Sequence, residues 1–155
     1  KGGIMNMTEK KKAWLYLRAG TEKSLEAQKA LLRDYANEAG VEVADVAIDY
    51  SPSQSSLKRV RMGAANQEFQ VLLVSSWKRL GESLSEVIDT MTYLKDQNVA
   101  VHSAKERDMS LDQALSFARY ASTIQLPDEV LSEEADKSIF EAPEDSEPFD
   151  MTPSF

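Results

Sequence analysis

Short apolar runs alternate with segments of helical periodicity along most of the chain. Ala13-Trp14-Leu15-Tyr16-Leu17 is apolar throughout, carries an aromatic ring at every other position and ends at Arg18-Ala19-Gly20-Thr21; it reads as a buried strand followed by a turn. From Ser24, a capping residue type, Leu25, Gln28, Leu32, Tyr35, Ala36 and Ala39 recur at three and four until Gly40, which predicts a helix. Val41 to Ile48 alternates, with Val41, Val43, Val46 and Ile48 inward, and suits a second strand. Tyr50 to Ser56 is a Ser/Gln/Pro loop, and Leu57 to Glu68 has a helical pattern that Gly63 weakens by about 1 kcal/mol relative to alanine. Val71-Leu72-Leu73-Val74 lacks alternation, so both faces of this strand are expected to be covered. Leu84, Val87, Ile88, Met91 and Leu94 mark an amphipathic helix, Val99-Ala100-Val101 another short strand, and Leu111, Ala114, Leu115 and Ala118 a last helix. Strand and helix alternate four times. That order predicts an α/β fold with a parallel-rich central sheet of about four or five strands and helices on both faces.

At 155 residues, with 42% apolar and 28% charged side chains, the chain has the size and composition of one globular domain. No apolar run approaches the roughly 18 residues of a membrane span, so no membrane role is expected. The absence of cysteine excludes disulfides, thiolate metal sites and a thiol nucleophile, and fits a cytoplasmic protein. With His102 as the single histidine, neither a zinc site nor a Ser–His–Asp triad is expected; no metal and no cofactor is anticipated. The net charge of −8 is unevenly placed: residues 128–155 hold ten acids and one base, a net of −9, which leaves the preceding residues at about +1. Four of the five prolines lie from Pro127 onward and none of the glycines does. The chain therefore divides into a tag or ragged start over 1–8, an α/β domain over 9–126 and an acidic tail over 127–155 that is disordered or partner-bound.

In open α/β sheets, ligands bind beyond the carboxyl ends of the strands. The segments there carry Arg18, Lys58, Arg59, Arg61, Lys78 and Arg79, and converging guanidinium forks would suit phosphate oxygens. Arg18, Lys58, Arg59 and Arg79 are the phosphate-binding candidates. Scattered loop bases also serve as plain solvated surface, and spacing alone does not separate the two readings.

Tyr16-Leu17-Arg18-Ala19-Gly20-Thr21, Ser24-Leu25-Glu26-Ala27-Gln28, Asp49 before a Ser-rich loop, and Trp77-Lys78-Arg79-Leu80-Gly81 together resemble the catalytic domain of the serine recombinases, the resolvase/invertase family. The family pattern is Tyr-x-Arg-Val-Ser-Thr, then Ser-Leu-x-x-Gln, then Asp-Arg-Leu-Gly-Arg, and the resemblance covers roughly residues 13–104. It implies a resolvase-like sheet, dimeric or tetrameric assembly, and a DNA phosphodiester attacked by a serine without metal or cofactor, with arginines neutralising the phosphate. Arg18 matches the motif arginine, Gln28 the helix glutamine and Arg79 the arginine of the Arg-Leu-Gly segment. Gly20 stands where the nucleophilic serine belongs, Lys78 replaces the family's aspartate and Glu82 replaces its last arginine. Loss of the nucleophile in a covalent mechanism costs on the order of 10⁶ in rate, so no catalytic residue is expected. Thr21, Ser51, Ser53, Ser55 and Ser56 are displaced hydroxyls, and even about 1 Å of misplacement can cost 10²-fold. His102, following a strand, reads as an ordinary polar residue; Trp14 reads as core, and Trp77 is a candidate for stacking on bases.

Family members continue into a long helix, a basic arm and a DNA-binding domain. Here Leu111 to Thr123 gives a short helix, and the acids after Pro127 would repel a phosphate backbone. Autonomous DNA binding is expected to be weak or absent. Phe140, Phe149 and Phe155 are apolar anchors among the acids of the tail, and such segments can bind a basic, grooved partner. Three readings stay open. The first is a catalytically inactive recombinase-like domain acting through assembly, as a homo-oligomer or with a recombinase or other DNA-processing protein. The second is an adaptor whose acidic tail binds a basic partner or mimics DNA. The third is a divergent active recombinase using a displaced hydroxyl.

Overall fold

The computed structural model describes residues 10–124. Strand β1 (Lys12–Ala19) leads into helix α1 (Glu22–Ala39), β2 (Glu42–Tyr50), α2 (Ser55–Ala65), β3 (Val71–Val74), a short 3-10 helix (Trp77–Leu80), α3 (Leu84–Asp96), β4 (Ala100–Ser103) and α4 (Leu111–Ser122). All pairings are parallel, in the order β2-β1-β3-β4. The sheet is therefore fully parallel with four strands, and β1 lies inside it, flanked by β2 and β3.

The alternation of β1 divides two cores. Ala13, Leu15, Leu17 and Ala19 pack with Val71 and Leu73 under Leu25, Leu32 and Ala36 of α1. Trp14 and Tyr16 face the other side, with Leu72 and Val74, and are covered by Leu57 and Val60 of α2, Val87 and Met91 of α3, and Leu115 and Ala118 of α4. One helix covers one face and three cover the other. All four residues of β3 are buried, as their unbroken apolar run predicts. Val41, just before β2, and Val43, Val46 and Ile48 within it pack toward α1. They share one face despite a three-residue step because the register slips between Ala13↔Val43 and Trp14↔Asp45, the insertion of a β-bulge.

Several boundaries differ from the sequence pattern. Thr21, not Ser24, caps α1: its Oγ1 accepts from the Ser24 N–H at 3.1 Å, so the helix starts at Glu22. At the other end, Gly40 takes the left-handed conformation, φ 72°, and donates to Ala36 and Asn37 carbonyls. Helix α2 spans Ser55–Ala65 rather than Leu57–Glu68. The Asp49 carboxylate accepts from the Ser56 and Leu57 N–H groups at 2.8 and 2.9 Å and fixes its start. His102 lies within β4, not after it, and Trp77 is fully buried, which removes it as a base-stacking platform. Among the described residues no helix is long and apolar enough to cross a membrane.

Gly63, a weak point by helix propensity, is required by packing. A Cβ there would sit 2.8 Å from Trp14 Cη2 and 3.0 Å from Phe69 Cε2, two rings that pack at 4.6 Å with Arg59 over the indole. Gly63→Ala would gain about 1 kcal/mol in helix propensity and lose roughly 1–3 kcal/mol to overpacking. The expected outcome is a net destabilisation of about 1 kcal/mol, seen as a lower urea midpoint with an unchanged slope; a stabilised Gly63→Ala protein would refute the packing argument.

Candidate functional site

The end of β1 delivers Arg18 into the interior at the carboxyl edge of the sheet, where it is 1% exposed. A buried guanidinium requires counter-charge, and the two strands beside β1 provide the routes for it. Asp49 comes from β2, the residue paired with Arg18, and Glu82 from the loop after β3. Arg18 Nε donates to Glu82 Oε2 at 2.8 Å, and Nη2 lies 2.7 Å from the same oxygen as an ion-pair contact rather than an aligned hydrogen bond. Nη1 donates to the Tyr16 hydroxyl at 2.6 Å and lies 3.6 Å from Asp49 Oδ2. The Tyr16 hydroxyl in turn donates to Asp49 at 2.7 Å.

Burial, followed by the hydrogen bond to Asp49, pushes the Tyr16 phenol far above its usual range, so Tyr16 stays protonated. For Arg18, burial works against the charge, but the attraction and hydrogen bonds of Tyr16 and Glu82 outweigh it and raise its pKa. One permanent cation thus faces two carboxylates. The Ser51 hydroxyl adds a bond of 2.5 Å to the Glu82 oxygen that Arg18 holds. The Glu82 backbone N–H donates to Glu86 at 2.7 Å, and Glu86 also accepts from Gln54 at 2.9 Å. A guanidinium and a hydroxyl gripping one oxyanion is how a protein holds a phosphate; here the oxyanion is the protein's own carboxylate.

Gln28 has a mechanical part. Its side-chain amide accepts from the Arg18 N–H at 3.2 Å and donates to the Arg18 carbonyl at 3.0 Å, clamping the end of β1 to α1. Gly20 is exposed, and a Cβ built on it meets nothing within 4 Å. The other hydroxyls are committed locally: Thr21 to its cap, Ser56 to the Ile48 carbonyl at 2.7 Å, and Ser53 and Ser55 to each other at 3.4 Å.

Arg59 and Arg61, two of the other basic candidates, have partners different from those of Arg18. Arg59, on the β2 side of α2, is 2.6 Å from Asp45 and stacks over Trp14; this partner holds the Asp45 carboxyl below its ordinary pKa. Arg61 reaches Thr90 at 3.3 Å and lies over the Tyr93 ring. Lys58 is exposed beside a groove of about 320 Å³ between α2 and α3 that also holds Glu86 and Asp89. Lys78 and Arg79 belong to the 3-10 helix after β3, with Lys78 buried and Arg79 partly so. His102 lies elsewhere, 3.1 Å from the Tyr35 hydroxyl. Among the described residues no group of three or more His, Asp or Glu could hold a metal. The tail anchors Phe140, Phe149 and Phe155 fall outside the described residues. Sequence reasoning identified Glu82 as a damaged position but missed Ser51 as its partner, because loop residues 31 apart carry no periodic signal.

With this geometry in place, the comparisons are specific. The family model for the resolvase N-terminal domain matches residues 13–139. The chain belongs to the resolvase N-terminal-domain family. Its fold is shared with the N-terminal catalytic domain of TP901-1 integrase, at 22% identity and a TM-score of 0.62 over 72% of this chain and 94% of that one. A resolvase family site-specific recombinase from Streptococcus pneumoniae matches at 19% identity and 0.64, over 73% and 86%. The C-terminal catalytic domain of ISC1926 TnpA, an IS607-like serine recombinase, matches at 19% and 0.55, over 60% and 70%. No curated protein matches the chain in sequence.

Removing one partner of a buried ion pair leaves the other charge stranded. Because Asp49 remains close to Arg18 and Glu82 is partly solvent-accessible, Glu82→Ala is expected to cost about 2 kcal/mol, below the 3–5 kcal/mol of a fully dry pair. In urea unfolding, Glu82→Ala with Arg18→Met should lose less than the sum of the two single losses, because both singles remove the same Arg18–Glu82 contact. Additive losses would show that the two side chains do not act as a pair.

Proposed function

We propose that this resolvase-family domain is catalytically inactive and works through protein assembly, pairing with itself or with an active recombinase or other DNA-processing protein in the cytoplasm. The observation that carries this reading is the occupation of Arg18 by Glu82. The motif arginine is the group that would neutralise a scissile phosphate, and its Nε and Nη2 both meet a carboxylate of the same chain at 2.8 and 2.7 Å. Gly20, at the position of the family's attacking serine, contributes no oxygen. Strand cleavage by the family route lacks its nucleophile and finds its electrophilic support already neutralised. The assembly half rests on the end of α4 and the turn that follows it, where Tyr120 and Ile124 are 68% and 48% exposed.

One observation favours a second reading. The Ser51 hydroxyl is 2.5 Å from the Glu82 oxygen that Arg18 also meets, a hydroxyl beside a carboxylate, the pairing of nucleophile and base that covalent catalysis uses. Against it, the Glu82 oxygen that Ser51 meets is already engaged by Arg18 Nε and Nη2 at 2.8 and 2.7 Å, which leaves it poorly placed to accept a proton.

Incubation with supercoiled DNA followed by a denaturing quench separates the two. No covalent protein–DNA adduct is expected from the wild-type chain or from Gly20→Ser, whose new hydroxyl fits the open space but faces an arginine still held by Glu82. A wild-type adduct lost in Ser51→Ala would replace the first reading with the second. For assembly, sedimentation at tens of micromolar is expected to show dimers or larger species that Tyr120→Asp with Ile124→Asp weakens at least tenfold; a wild-type monomer throughout that range would remove self-association.

A further inference from the structure

The amino ends of the strands carry a second feature, remote from Arg18. Helix α1 packs on β1, β2 and β3 but leaves Ala100 and His102 of β4 exposed. These two pair in register with Val71 and Leu73, so the uncovered strip continues the apolar face that α1 covers elsewhere. It forms the floor of a groove of about 380 Å³ beside Tyr35 and Gly40, with Lys10 and Lys11 on its rim. That volume falls at the small end of the ligand-site range, roughly 300–1,000 Å³.

We propose that this groove is the docking site of the chain's own acidic carboxyl-terminal segment, seated through Phe149. Charge complementarity selects the occupant. Among the described residues no carboxylate lines the groove, whose charged members are Lys10 and Lys11, and the nearby Glu38 is engaged by Arg107 at 3.0 Å. The groove between α2 and α3, by contrast, sets Glu86 and Asp89 against Lys58 and Arg61 and offers an anion no net attraction. Residues 128–155 carry a net charge of −9, and Phe149 has Asp145, Glu147 and Asp150 within four positions. An aromatic ring for the Val71–Leu73–Ala100 floor and carboxylates for the two lysines match what the groove presents. Tyr35 and His102 add polar groups at its wall.

The tether does not limit the docking. Phe149 lies 25 residues beyond Ile124, a span of up to about 80 Å when extended, against a domain radius of gyration of about 13 Å. Linkage at this length supplies a local concentration on the order of millimolar. A modest contact, weak as a bimolecular complex, is then largely closed within one chain.

The chain lacks cysteine, so engineered thiols report on the docking without background. Full-length Ala100→Cys with Met151→Cys places one thiol in the groove and one beside the anchor; Met62→Cys with Met151→Cys is the control, since Met62 is 65% exposed on α2, across the sheet. Under mild oxidation at micromolar concentration, the groove pair is expected to form an intramolecular disulfide at least tenfold faster than the control. Adding Phe149→Ser, or Lys10→Glu with Lys11→Glu, should bring it down to the control rate, and high salt should slow it. Equal rates for the two pairs would overturn the proposal, as would insensitivity to Phe149→Ser. Disulfide-linked dimers in place of the internal link would assign the groove to the tail of a second copy. Circular dichroism of each variant confirms that the fold is intact. The outcome is independent of DNA cleavage, which concerns the opposite edge of the sheet.

Discussion

A guanidinium in a nearly dry interior is the constraint around which the carboxyl edge of this sheet is arranged. Desolvating Arg18 costs several kcal/mol unless charge and hydrogen bonds compensate, and the sheet order determines where compensation can come from. Because β1 lies between β2 and β3, only the chain leaving those two strands is near enough. The first supplies Asp49 and the second Glu82. Asp49 also accepts from two backbone N–H groups at the start of α2, so the ion pair and the helix origin depend on one carboxylate. The charge that stabilises Arg18 is the same charge that makes its surroundings unwelcoming to a phosphate.

The family motif divides accordingly. Its positions with mechanical work in the fold keep the family residue: Tyr16 bridges Arg18 and Asp49, and Gln28 clamps the end of β1 to α1. Gly20, by contrast, has no hydroxyl, and Glu82 sets a carboxylate against Arg18. A scaffold can persist on the first group of residues alone. Room for a side chain at Gly20 shows that packing does not demand glycine there, so nothing steric in the fold explains its presence.

Much of this fold was legible in the sequence, since burial imposes periodicity. The unbroken run of β3, the alternating rings of β1 and the three-and-four spacing of the helices follow directly from which faces are covered. The parts that escaped are decided by single hydrogen bonds. Thr21 and Ser24 are both good caps, and only the path of the turn selects Thr21. The start of α2 depends on Asp49, six residues upstream of Ser55, and the inward set of β2 on a bulge. The basic residues show the same limit more sharply. Arg18, Arg59 and Arg61 look alike as cations near a sheet edge, yet their partners are Glu82, Asp45 and Thr90, from three different segments of the chain. Spacing can place a charge near an edge, but cannot say which neighbour neutralises it.

The two ends of the sheet consequently differ in what they offer a ligand. At the carboxyl edge, where ligands of parallel sheets usually bind, an incoming phosphate would have to displace Glu82. That carboxylate is tethered, oriented by Ser51 and anchored through its backbone to Glu86, so it competes at the high effective concentration of a preorganised group. It needs no affinity beyond an ordinary ion pair to win against a millimolar anion. At the amino edge no carboxylate of the described residues lines the groove beneath Lys10 and Lys11. Partial desolvation against the groove wall, followed by the neighbouring Lys11, lowers the pKa of His102 there although the residue is exposed at the surface, so the ring is neutral at physiological pH and adds a hydrogen-bonding wall rather than charge. The cation at the carboxyl edge is thus neutralised from within, while Lys10 and Lys11 leave cationic attraction at the opposite edge.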